Sequence, residues 1–180
     1  MTLGAGEPFM PAEGTAVLEN LAFDLAREAS ELSAQLHPVV RLSVADLVRS
    51  MNCYYSNLIE GHNTHPRDID RALAADYSSD PHRRDLQLEA RAHIEVQRMI
   101  DERAGDLPRP PVARAFIEWA HREFYRRLPE SLLVVVNPDT AERVPVVPGQ
   151  LRTHTVAVGR HVAPASQDLP SFLGRFEEAY

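Results

Sequence analysis

The residues whose types and spacing suggest chemistry are Ser56, Glu60 and Gly61, within the run Tyr54-Tyr55-Ser56-Asn57-Leu58-Ile59-Glu60-Gly61-His62-Asn63. Ser56 and Glu60 are four apart, so on a helix they stand one turn above each other on the same side. Gly61 supplies the left-handed backbone that commonly closes a helix. Glu60 is out of place for an ordinary helix end. A carboxylate in the last turn faces the negative end of the helix dipole, at a cost of roughly 0.3–1 kcal/mol when exposed. Local rules are most often broken where a residue serves a function. The plain alternative is a helix end with a solvated glutamate.

Other candidate chemistry is thinner. Eight histidines invite a metal reading. His62 and His65 are three apart across a helix break, and Glu89 and His93 are four apart on a helix, yet neither pair has a third ligand at a known spacing. No metal site is expected. Cys53 is the single cysteine, which rules out an intrachain disulfide and fits a reducing compartment. Its place in an apolar helix points to a buried, inert thiol. No phosphate loop of the Gly-x-x-x-x-Gly-Lys type and no Gly-x-Ser-x-Gly elbow occurs.

The elements that must position these residues read as mostly helical. A first amphipathic helix is expected from about Thr15 to Leu36, carried by Val17, Leu21, Leu25, Leu32 and Leu36 and ended by Pro38. Ser43, with Asp46 three later, starts the organising helix, about 43–61. Its apolar positions, Val44, Leu47, Val48, Met51, Tyr54, Tyr55, Leu58 and Ile59, follow the 3-4 spacing of a buried face. Pro66 opens a short helix to about Ala75, and Asp85 begins a longer one to about Arg103, with Leu86, Ala90, His93, Ile94, Gln97 and Ile100 on one side. A proline-rich link after Gly105 separates an N-terminal helical region, 1–106, from a second region, 107–180. There a helix from Val112 to Leu128 presents Phe116, Trp119 and Phe124. The apolar run 132–136 and the stretch 144–158, with Pro145 and Pro148, read as extended segments forming an edge hairpin. From Asp168 the chain is helical again. Phe176-Glu177-Glu178-Ala179-Tyr180 lacks any cap, the look of a helix cut in the middle.

Composition limits the function classes. With 44% hydrophobic and 25% charged residues the chain is an ordinary globular one, long enough for a real core. A net charge of −7 argues against non-specific nucleic-acid binding or attraction to anionic membranes, so Arg83-Arg84 and Arg126-Arg127 read as solvated surface. No apolar run approaches a membrane span, and a cytoplasmic location is expected.

Ser56-x-x-x-Glu60-Gly61 resembles the inhibitory helix motif, Ser/Thr-x-x-x-Glu-Gly/Asn, of the Fic (filamentation induced by cAMP) family of protein adenylyltransferases. The resemblance extends over about residues 40–180. The segment 62–69 looks like the link out of the inhibitory helix, 85–97 resembles the next long helix, and 116–125 is similar to the first helix of the Fic core. Pro148-Gly149-Gln150-Leu151-Arg152-Thr153 and the segment 156–164 look like the flap, a β-hairpin beside the active site. The resemblance implies a mostly α fold, a helical bundle of Fic type with a small β-hairpin flap, and Val156, Ala157, Val158 and Gly159 as target-docking residues.

The family's catalytic signature, His-Pro-Phe-x-Asp/Glu-Gly-Asn-Gly-Arg, is absent from the 180 residues, so no catalytic residue can be assigned. Leu36-His37-Pro38-Val39 lacks the glycine-rich turn and reads as a helix stop. In the family, AMP passes from ATP, held with Mg2+, to a hydroxyl side chain of a protein target. The inhibitory glutamate pairs there with the second arginine of the catalytic helix and denies the γ-phosphate its place. The resemblance thus makes this chain the N-terminal regulatory and docking portion of such an enzyme, with Glu60 inhibitory. Alone it is expected to be inactive, with neither ATP nor Mg2+ bound. The runner-up is a non-enzymatic interaction module, acting as an inhibitor in trans or as a partner-binding scaffold. A homo-oligomer is compatible with either reading.

Overall fold

The computed structural model describes residues 14–62, 64–103, 105–108, 110–136, 141–158 and 161–180. Six helices carry the fold: α1 (Ala16–Gln35), α2 (Pro38–Ile59), α3 (Pro66–Leu73), α4 (Pro81–Glu102), α5 (Arg114–Tyr125) and α6 (Leu169–Ala179). Four short strands, β1 (Val134–Val136), β2 (Arg143–Pro145), β3 (Ala157–Val158) and β4 (His161–Val162), form two antiparallel pairs. Among the described residues, no helix is long and apolar enough to cross a membrane.

Two helices start earlier than their sequence signals suggested. α2 begins at Pro38 rather than Ser43, because proline at the first helical position has its φ preset and loses no hydrogen bond. The Val39 N–H donates to Nδ1 of His37 at 3.3 Å, so His37 caps the helix that Pro38 opens. α4 likewise begins at Pro81, not Asp85; Asp80 is its cap, accepting the Arg83 N–H at 2.8 Å.

The described residues divide into two compact units, 14–49 and 50–180. The first holds α1 and the opening turns of α2. Along α1 no residue is buried, and Arg27 pairs along the surface with Glu28 and Glu31 at 2.7 and 2.9 Å.

The second unit contains the core. Cys53 of α2, Ile69 of α3, and Ala90 and Ile94 of α4 meet there, with Tyr54 packed alongside. Burying Ile69 and Ile94 contributes about 1.5–3 kcal/mol each. The Cys53 thiol lies against the Ala90 carbonyl at 3.6 Å, and burial pushes it up to about 12, helped by the Glu89 charge. It is the inert core thiol its setting suggested. The face of α2 that enters this core is Cys53 and Asn57. The apolar face expected to be buried is not: Val44, Leu47, Val48, Met51, Tyr55, Leu58 and Ile59 are exposed, and only Tyr54 is half-buried. Periodicity located an apolar stripe correctly but cannot say whether this chain covers it.

Gln87 is 0% exposed, the most deeply placed polar side chain of α4. Its Nε2 donates to the carbonyls of Asp68 and Asp76 at 3.2 and 3.3 Å, and its Oε1 accepts the Ser78 N–H at 2.7 Å. One side chain thereby satisfies backbone groups of α3 and of the turn that follows. In that turn Ala75 takes φ 58°, closing α3 without a glycine, while Asp76 is held below the usual carboxylate range by a two-point contact with Arg71.

A charged ladder joins α4 to α5. Arg91 reaches the Tyr77 hydroxyl at 2.6 Å and Glu95 at 2.7 Å; Arg127 bridges Glu95 at 3.3 Å and the buried Glu123 at 2.9 Å. Trp119 is buried on α5, as expected, and the Arg114 N–H donates to Glu177 of α6 at 3.2 Å.

Strands cover less than the extended segments 132–136 and 144–158 suggested. β1 pairs with β2 with Val135 opposite Val144, and β3 pairs with β4 with Ala157 opposite Val162. With two strands per sheet every strand is an edge, which accommodates Pro145. Between them a turn closes at Gly149, φ +81°, whose N–H donates to Nδ1 of His121 at 2.8 Å. A Cβ there would meet Arg122 Cβ at 2.9 Å and the Glu118 carbonyl at 3.2 Å.

Two outcomes follow from the core. Gln87→Leu removes three hydrogen bonds to backbone groups, one buried and two part-buried, and is expected to cost about 2–3 kcal/mol in urea unfolding; a loss under about 1 kcal/mol would show the contacts to be incidental. The second concerns acid. Burial holds the His93 imidazole below its ordinary value of about 6.5. In that window the unfolded chain binds the proton and the folded chain does not, so stability is fully present above about pH 6.5 and is lost as pH falls through the folded value. The urea midpoint should drop between about pH 7.5 and pH 5. His93→Met should shrink that drop, and an unchanged drop would assign it to other groups.

Candidate functional site

The C-terminus of α2 is closed by a paired set of backbone bonds. The His62 N–H reaches the Asn57 carbonyl at 2.7 Å, and the Gly61 N–H reaches the Leu58 carbonyl at 3.2 Å. This six-to-one and five-to-two pattern needs a left-handed residue at its centre, and Gly61 provides it with φ +78°. Glu60 is therefore the cap residue, and its N–H donates to the Ser56 carbonyl at 3.1 Å. Ser56, Glu60 and Gly61 are all exposed. Among the described residues no hydrogen-bond or ion-pair partner holds the Glu60 carboxylate. It is set at the negative end of the helix dipole with no local compensation.

What fixes this exposed tip is a buried anchor just behind it. Asn57, 5% exposed, donates from Nδ2 to the Thr64 hydroxyl at 3.3 Å, and Thr64 is itself buried. The Thr64 N–H closes a tight turn on the His62 carbonyl at 2.9 Å. His62 then touches Glu89 of α4, Nδ1 to Oε1 at 3.1 Å. The hydrophobic pattern missed Asn57, Thr64 and Glu89 because they are polar. A readable signal did exist: Asn57 lies four residues after Cys53, on the side of the helix that the apolar stripe leaves out.

Beside this tip lies a cleft of about 690 Å3, with Gly61 on its rim and Glu60 not among its lining side chains. Its walls mix His62, His65 and His82 with Arg83 and with the carboxylates of Asp68, Asp85 and Glu89. Asp68 is buried at the cleft, bound to Arg83 at 2.9 Å and near Arg71 at 3.8 Å. Among the described residues no three histidine, cysteine or acidic side chains come together as a metal site. The pairs His62/His65 and Glu89/His93 therefore gain no third ligand there. The cleft carries three carboxylates against the single guanidinium of Arg83, beside three imidazoles.

Of the candidate docking residues, Ala157 and Val158 form β3, and Val156 sits just before it, its carbonyl accepting the Ala163 N–H at 2.9 Å. Gly159 lies outside the described residues. The base of this hairpin is tied by Arg152, which donates to the carbonyl of His154 at 2.5 Å and to that of Pro164. The expected hairpin is thus present, and at the described positions its strands lie in a two-stranded sheet with no further strand beside them. No family model, curated protein or solved structure matches the chain.

Gly61→Ala tests the closure. Nothing crowds a Cβ at this position, so the cost is that of the left-handed backbone alone, about 1–2 kcal/mol. A neutral effect on the melting temperature would mean that the α2 terminus is not held in this form.

Proposed function

We propose that this chain is the regulatory and target-docking portion of a Fic-type protein AMP-transferase, restrained through Glu60. The observation that carries the reading is an exposed carboxylate at the end of α2 that no described residue pairs with, one turn from Ser56 and closed by Gly61. A free carboxylate on a rigid helix end suits capture of an arginine that would otherwise hold a phosphate, since both anions compete for one guanidinium fork. The buried Asn57–Thr64 anchor supports it by fixing the tip in one geometry. The β3–β4 hairpin offers main-chain groups to an extended segment of a hydroxyl-bearing target, a mode whose affinity comes from backbone hydrogen bonds and tolerates varied sequences. ATP and Mg2+ belong to the catalytic half of such an enzyme, and this chain alone transfers no nucleotide.

A second reading, a module that binds a partner without catalysis, draws on the wholly unburied α1. The reading frame past Tyr180 separates the two, since only the first requires a downstream His-Pro-Phe-x-Asp/Glu-Gly-Asn-Gly-Arg.

In the enzyme that carries this chain, Glu60→Gly should raise the initial rate of AMP transfer. A block of about 2–3 kcal/mol corresponds to about 30- to 150-fold. Ser56→Ala should give a smaller rise, because it carries no charge to compete with phosphate. Equal rates in equally folded wild type and Glu60→Gly would remove the inhibitory role.

A further inference from the structure

We infer that the unit formed by α1 and the first turns of α2 is a dimerisation arm that packs against the same unit of a second copy. The inference goes beyond the AMP-transfer reading and does not depend on it. Twelve large apolar side chains between Val17 and Val48 are exposed, six on α1 and six on α2, while no described apolar residue from 14 to 48 is buried. Two helices without any core of their own do not persist in water on helix propensity alone.

The apolar surface is patterned. On α1, Leu18, Leu25 and Leu32 recur every seven residues, with Ala22 and Ala29 between them at alternating steps of four and three. On α2 the same steps continue through Val40, Val44 and Leu47. This is the spacing of a seam that pairs two helices side by side, with the alanines allowing close approach. Its size also fits. Burying a Leu or Val removes on the order of 100 Å2 of apolar surface, so twelve that are 44–71% exposed offer roughly 700 Å2. A standard interface takes about 800 Å2 from each partner.

Charge selects the pairing and the occupant. On α1 the carboxylates of Glu19, Asp24, Glu28 and Glu31 stand against Arg27 alone, whereas on the first turns of α2 Arg41 is exposed and Asp46 is already paired with the buried Arg49 at 2.8 Å. Two α1 helices laid together would repel, while α1 of one copy on α2 of the other brings opposite signs together. Such a swap is symmetric: each copy offers both surfaces, and the interface closes at two.

The test is sedimentation of the full chain at micromolar concentration. The expected mass is near twice the 20.2 kDa of one chain, falling toward one chain on dilution. Leu25→Glu with Leu47→Glu should give a monomer, and Arg41→Glu should raise the dissociation constant at least tenfold. Trp119 fluorescence and the thermal melt of the core report that the variants remain folded, since neither leucine belongs to the core cluster. A wild-type monomer, whether or not α1 folds back on its own α2, would overturn the proposal. So would an assembly larger than two, or a dimer that survives the double substitution.

Discussion

The second unit depends on one buried amide. Gln87 takes two carbonyls and one N–H from α3 and its exit turn, at a place where no water reaches. An amide is the side chain that can both donate and accept in such a spot without carrying a charge. Hydrophobic contact between Ile69 and Ile94 brings α3 and α4 together, but it is non-directional and would accept some sliding. The amide bonds allow one register only. Because Asp68 and Arg83 stand at the edge of the same contact, the cleft geometry inherits that register.

The end of α2 shows how a rigid tip is made from a flexible sequence. The buried side of the helix, Cys53 and Asn57, fixes its rotation; the glycine closure fixes where it stops. What remains outside is a serine, a glutamate and a stripe of apolar side chains. One helix thus turns Cys53 and Asn57 inward, ends on an exposed glutamate and carries an exposed apolar stripe along its length. A carboxylate in this position is a poor choice for stability and a good one for availability, since the dipole opposes it and no described neighbour neutralises it.

Much of this could be read in the residues. The helices are signalled by 3-4 apolar spacing, α3 also by Pro66, and the closure at Gly61 by the glycine itself. Trp119 and Cys53 lie in the interior, as their surroundings implied. The first residues of α2 and α4 were misplaced because Ser43 and Asp85 look like caps while His37 and Asp80 perform the task. The buried polar set, Gln87, Asn57, Thr64 and Glu123, was invisible because burial of a polar group depends on partners distant in sequence. Exposure of the α2 stripe was equally unreadable: periodicity reports that a face is apolar, not what covers it. The hairpin is another limited case, since an extended stretch over 144–158 was legible but the strands β3 and β4 reach only two residues each.

Gly149 has a genetic consequence. Its backbone lies so close to α5 that the obstacle to substitution is the first side-chain carbon, before any question of polarity or charge. Every missense change reachable from a glycine codon by one nucleotide adds that carbon. Alanine, serine and valine should therefore be rejected together with arginine and glutamate, and a mutational scan would find a codon intolerant of all replacements. Ordinary measures of residue similarity would rank those changes from mild to severe. At this position the ranking collapses, because what is selected is the absence of an atom.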